Sequence, residues 1–184
     1  CASTSLNGWT NLVNATAIGY NTIVDDHNKV RVGNTAVLSI GGHVGWTTFS
    51  DGRFKQQIQE DVKGLEFIEH LRPVTYIVDL PGLDHFYDDE DNFQDNPLLA
   101  EWKLKSLEYA ASHRECGFIA QEVEEAMAQT GSTFSGLDKP TNGKALYGLR
   151  YSDFVVPLVK AVQEQQVMID ELTKSNNDLL ARLE

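Results

Sequence analysis

The chain has 184 residues, 41% of them hydrophobic, and a formal net charge of −12. That length allows one or two domains, and that apolar content is enough for a packed core, which argues against wholesale disorder. So acidic a chain is a poor partner for nucleic acid or an anionic membrane surface, since both are gripped through clustered positive charge.

No apolar run approaches the ~20 residues of a membrane span, so no insertion is expected from this piece. No basic stretch followed by an apolar one marks a signal peptide. Cys1 reads as the first residue of a piece cut from a longer chain, and Cys116, in "ECGFIA", as a small core residue. Two such cysteines make neither a disulfide framework nor a zinc site. The five histidines are scattered without ligand spacing, so no metal or cofactor is expected.

Residues 1–48 are rich in Gly, Asn and Thr, with short β-branched runs: "ATAIGYN", "KVRVGNTAVLSIGG" and "HVGWTTF". These are strands broken by turns. An apolar-Gly step recurs at Ile18-Gly19, at Val32-Gly33 fourteen residues later, and at Ile40-Gly41. So few copies favour irregular β-hairpins over a repeat.

Residues 50–154 read as a mixed α/β globule. "KGLEFIEHLRPVTYIVDL" begins as a helix with Leu65, Ile68 and Leu71 on one face and Phe67 beside them. Pro73 ends it, and "PVTYIV" follows as a strand. Residues 79–95 carry seven acids and no Lys or Arg, and their spacing fits no calcium loop. They read as a solvated acidic loop. "LLAEWKLKSLEYAASHRE" is a surface helix. "CGFIAQEVEEAMAQTG" is a short apolar strand running into a helix that Gly131 stops. Ser152 and Asp153 are placed to cap the last helix, with Pro157 in its first turn.

That last helix carries the clearest pattern. Val155, Leu158, Val162, Gln165, Ile169, Leu172, Asn176, Leu179 and Leu183 alternate spacings of three and four, an unbroken heptad seam. A helix lying only on its own globule wants a broader apolar stripe. The narrow seam predicts a coiled coil with the same helix of other subunits, and polar Gln165 and Asn176 serve register.

"TTFSDGRFKQQI", residues 47–58, allows two readings. In the first, Ser50 caps a helix, and Asp51 and Lys55 form an i,i+4 pair worth a few tenths of a kcal/mol. In the second, Ser50 is a nucleophile and Lys55 its base. Five residues are about 140° of a helix, and opposite faces of a strand, so the second reading needs a turn, which Gly52 permits. Alternatively the lysine of one subunit serves the serine of the next. Gln121 and Glu122 either support such a pair or lie on a solvated helix face.

"FSDGRFKQQI", "LEFIEHLRPVTY", "CGFIAQEVEEA", "LYGLRYSDFVVPLVKAVQEQQ" and a final coiled coil, in that order, resemble the intramolecular chaperone domain of the peptidase S74 family. The likeness runs over about residues 49–184. That domain ends phage tail spikes and fibres, endosialidases and some bacterial surface proteins. The resemblance implies a homotrimer that helps the upstream β-structured part of its own polypeptide to assemble. It also implies self-cleavage by a serine-lysine dyad, Ser50 and Lys55, at the Phe49–Ser50 bond. Gly52 and Phe54 stand where the family commonly has a larger polar residue and a leucine. "NATAIGYNTIV" is similar to the head repeats of trimeric autotransporter-type adhesins.

The expectation is therefore an α+β chain in three parts: residues 1–48 as the β-rich end of an upstream fibre or adhesin head, 49–154 as the chaperone globule, and 155–184 as the trimerisation helix. An extracellular place, on a bacterial surface or a phage tail, goes with it. The alternative is a trimerisation cap that never cuts.

Overall fold

The computed structural model describes residues 12–87, 97–143 and 145–183. Among these the chain is mixed α/β, with three two-stranded sheets and five α-helices, the last of them long and near the C-terminal end. It folds as two units, and each draws on separated stretches of sequence. One takes residues 1–49, 75–117 and 140–146; the other takes 50–74, 118–139 and 147–184. This differs from a division at residues 48/49 and 154/155, because the long helix packs with the globule that precedes it.

The first unit begins with Thr16–Ile18 (β1) and Val30–Val32 (β2), which pair in parallel. The expected hairpins are not what forms, since a hairpin joins antiparallel strands and a parallel pair needs a crossover. The register is a constant offset of fourteen: Thr16 faces Val30, Ala17 faces Arg31 and Ile18 faces Val32. The offset holds outside the strands too. Asn14 and Asn28 both adopt positive φ, 54° and 56°, and Asn14 Nδ2 donates to Asn28 Oδ1 at 3.0 Å. Gly19 and Gly33 take φ of 122° and 82°, conformations that side-chain-bearing residues avoid. The fourteen-residue step is thus one turn of a small coil of chain. Ile40-Gly41 joins no strand, and neither does "HVGWTTF".

Val74–Tyr76 (β3) pairs with Glu115–Gly117 (β4), and Arg114 Nη2 donates to the Thr75 carbonyl at 2.7 Å. Cys116 is exposed on β4 rather than buried. Its apolar neighbours in sequence do not decide which side of a two-stranded ribbon faces out. Part of the expected acidic loop is a helix, Leu80–Phe86 (α2), because the Asp79 carboxylate accepts from Gly82 N at 3.0 Å and Pro81 suits a first turn. Residues 88–95 of that loop lie outside the described residues. Pro97–Ser112 (α3) is the surface helix expected, and two of its side chains reach inward. Lys103 pairs with Asp84 at 2.7 Å, and buried Ser106 donates to the Ala36 carbonyl at 2.9 Å.

Among the described residues, a buried cluster around Phe67 lies in the second unit. Leu65–Ile68 (α1) is a short helix, and Phe67, 1% exposed, is its deepest residue. Leu65, Ile68 and Leu71 defined the apolar face in sequence, yet Ile68 and Leu71 are only partly buried around Phe67. Phe67 packs with Val123 and Ala126 of Ala120–Thr130 (α4) and with Phe154. Phe134 bridges the rings, 5.2 Å from Phe67 and 4.5 Å from Phe154. Gly131, at φ 63°, stops α4 as expected. Leu137–Asp138 (β5) and Gly148–Leu149 (β6) form an antiparallel pair. Glu124 of α4 takes hydrogen bonds from Lys139 and from Tyr147, and these hold its carboxyl below the ordinary value of 4.5.

A carboxyl whose folded pKa is lowered contributes stability above its unfolded pKa and loses it as pH falls through the folded one. Wild type is therefore expected to melt above Glu124→Gln at pH 6, and the gap should close below pH 4.5. Melting curves of both proteins across pH 3–7 check this.

Val155–Leu180 (α5) follows a 3-10 turn over Tyr151–Phe154. Ser152 and Asp153 sit in that turn and do not cap α5; Asp153 instead accepts from Ser135 Oγ at 2.9 Å. Pro157 lies in the first turn of α5, as expected, and is buried. Phe154, Pro157 and Ala161 form the inward stripe. Here Gly64 allows α5 to come close, since a Cβ on it would sit 2.7 Å from Ala161 N. Glu164 Oε2 then accepts from Leu65 N at 2.8 Å. Gly64→Ala is expected to destabilise by about 1–3 kcal/mol, the range for overpacking, because the obstacle is backbone. The denaturant midpoint measures it.

Candidate functional site

Gly52–Phe54 is a 3-10 turn, and its two flanks carry Ser50 and Lys55. The turn is closed by Phe54 N donating to the Asp51 carbonyl at 3.1 Å and Lys55 N donating to the Gly52 carbonyl at 3.2 Å. Lys55 leaves it in extended conformation and folds back, so that its Nζ lies 2.8 Å from Ser50 Oγ. A separation of five residues that neither helix nor strand brings together is thus closed by one short turn.

The bland reading of this stretch assigned the wrong partners. The cap is Asp51, whose Oδ1 accepts from Arg53 N at 2.9 Å, and not Ser50. The ion pair of Asp51 is with Arg53, Nη2 to Oδ2 at 2.6 Å, and not with Lys55. Sequence spacing suggested i,i+4 pairing because it supposed an α-helix; in this short turn the Arg53 side chain folds back onto the capping carboxylate instead. The Arg53 side chain first, and its backbone N–H second, hold the Asp51 carboxyl below the usual carboxylate range. Gly52 is not required for the turn. Its φ is not positive, and a Cβ there would meet nothing within 4 Å. A larger residue at 52 fits equally well. The left-handed residue nearby is Gln57, at φ 53°.

Every residue from Val37 to Lys63 is exposed, the pair included. Large apolar side chains on this stretch stand in water: Trp46 is 91% exposed, Phe49 98% and Phe54 82%. Such a run is unusual for a free surface. Among the described residues, none covers Lys55, which stands exposed.

Glu122 is engaged elsewhere, since Arg72 donates to its carboxylate through Nε and Nη2. Gln121 is exposed on α4. Among the described residues no group of three or more His, Cys, Asp or Glu gathers as metal ligands, and no helix is long and apolar enough to cross a membrane.

On α5, the seam residues Val155, Leu158, Val162, Gln165, Ile169, Leu172, Asn176 and Leu179 are all exposed. Leu183 is exposed in the turn that follows the helix. The inward stripe of Phe154, Pro157 and Ala161 runs one residue behind the seam, so the helix meets its own globule with one face and leaves the seam free. The inward stripe was missed in the sequence. Its signal was the step of three and four from Phe154 to Ala161, which small Ala161 and Pro157 disguised.

Comparison with protein-family models, with curated proteins and with solved structures finds no match to this chain.

Proposed function

We propose that this chain is a C-terminal intramolecular chaperone that assembles as a homotrimer and releases itself by serine-lysine autoproteolysis at the Phe49–Ser50 bond. The observation that carries the reading is the 2.8 Å approach of Lys55 Nζ to Ser50 Oγ. A serine hydroxyl is a weak nucleophile and needs a base within hydrogen-bond reach. A lysine is a base only when neutral, and loss of water favours that form. The neutral amine takes the Ser50 proton as Oγ attacks the Phe49 carbonyl. The C–N bond breaks, the Ser50 nitrogen leaves as an amine, and an ester joins Phe49 to Ser50 Oγ. Water hydrolyses the ester, giving a Phe49 carboxylate and restoring the hydroxyl.

Assembly supports the reading as the switch. The exposed apolar run around the pair and the exposed seam of α5 would both be covered by other copies of the chain, and covering the run desolvates Lys55. Cutting would then follow folding of the trimer. The parallel turns with a fourteen-residue step, in the stretch of chain that precedes Ser50, are the kind of β-structure such a chaperone would serve. The setting that goes with this reading is extracellular, on a phage tail or bacterial surface.

A second reading is a trimerisation cap that never cuts. The observation that favours it is the exposure of the pair, which leaves the amine hydrated in the single chain. Intact mass of freshly made protein separates the two: fragments meeting at residues 49/50 support cleavage, and one full-length species supports the cap.

A further inference from the structure

We propose that Asp51 is a positioning residue for the Ser50–Lys55 pair: by capping the turn between them it holds the lysine amine against the serine hydroxyl. The inference rests on the self-cleavage reading, because it deepens the same site. Between Ser50 and Lys55 stands a turn of three residues, and the surrounding run from Val37 to Lys63 is exposed, so no core contact imposes its shape. So short a helical turn is not stable alone in water, because its first N–H groups have no partner within it. Asp51 Oδ1 satisfies the N–H of Arg53 at 2.9 Å. The same carboxylate takes the Arg53 side chain, Nε at 3.0 Å and Nη2 at 2.6 Å on Oδ2. If the turn opens, five residues of chain can extend to roughly 17 Å, and the pair separates. The cap therefore raises the share of time in which the two groups are within reach, which is how orientation accelerates an intramolecular step.

The cap and the ion pair are separable. An exposed ion pair contributes little. Asparagine caps as well as aspartate does, because its carbonyl oxygen accepts the same N–H, whereas alanine cannot. The amide acceptor is thus the part of Asp51 that matters, and its charge is not.

The test uses the full chain in two readouts. In the first, cleavage at residues 49/50 is timed from pH 6 to pH 10. Asp51→Ala is expected to slow it about fivefold at every pH, the size of a lost cap, with the pH midpoint and the oligomer mass unchanged. Asp51→Asn is expected to stay within about twofold of wild type. The second readout does not need cleavage. With Cys1→Ser and Cys116→Ser in place, Ser50→Cys and Lys55→Cys put thiols on the two flanks, and their effective concentration is measured against glutathione. Adding Asp51→Ala should lower it about fivefold, and Asp51→Asn should not. A wild type that never cuts would sink the self-cleavage reading, while the thiol readout would still decide the positioning role. If Asp51→Ala leaves the effective concentration unchanged, or Asp51→Asn lowers it as much as Asp51→Ala, the proposal is overturned. A shifted pH midpoint in Asp51→Asn would also overturn it, by showing that charge is what acts.

Discussion

Light scattering of the intact chain at micromolar concentration is expected to give about three times 20.5 kDa. Replacing Ile169 and Leu172 together, Ile169→Asp and Leu172→Asp, is expected to reduce that mass to one chain. Both residues are exposed on α5 beyond its inward stripe, so a single folded chain loses no internal packing when they change. In an assembled seam, each aspartate would be desolvated among apolar side chains without a partner, at a cost of several kcal/mol. The substitutions therefore separate folding from assembly. Circular dichroism should show the helical signal of α1 to α4 retained, while the mass falls. A wild type that stays monomeric would sink the trimer. A double variant that stays trimeric would place the contact elsewhere, on the exposed run from Val37 to Lys63.

The second large effect concerns the pair itself. Ser50→Ala is expected to abolish cleavage at residues 49/50 and leave the trimer intact, since it deletes one exposed hydroxyl and no packing. Lys55→Ala should do the same. Lys55→Arg should not rescue, because a guanidinium stays protonated and accepts no proton. The rate should fall as pH drops, since a protonated lysine is no base. If the pair only shapes a surface turn, wild type should stay full-length for days at neutral pH, and each substitution should change stability by about 1 kcal/mol or less. Ser50→Ala cutting as fast as wild type would rule out the dyad and point to a contaminating protease. Denaturing electrophoresis with intact mass reads all these outcomes.

These two experiments bear on features of different origin. The seam was legible because a heptad is a local rule: side chains three and four apart share one face whatever the rest of the chain does. The stop of α4 at Gly131 was legible because a helix end calls for a left-handed residue that glycine supplies, and β3 and α3 were legible from their own residues, but α1 ends at Ile68, short of the stop expected at Pro73. What α5 does with its other face was not legible. Pro157 and Ala161 are poor hydrophobic markers, and it is their burial with the close approach at Gly64 that shows the helix packing one face on its own globule.

Sequence alone determined the composition, the mixed α/β character, the helix that carries the seam, and the presence of a serine and a lysine five residues apart. The folded structure, tertiary in the first two cases and local in the third, decided three things. It set the pairing of β1 with β2 as parallel, which depends on a crossover that two or three Gly steps do not reveal. It sent Cys116 outward, because a two-stranded ribbon leaves one side open. And it joined Ser50 to Lys55 through a capped 3-10 turn, in which Asp51 takes Arg53 as its partner and leaves the lysine free to reach the serine. Spacing fixes which groups can meet only once the local helix type is known, and no periodic pattern in this stretch announces a 3-10 turn.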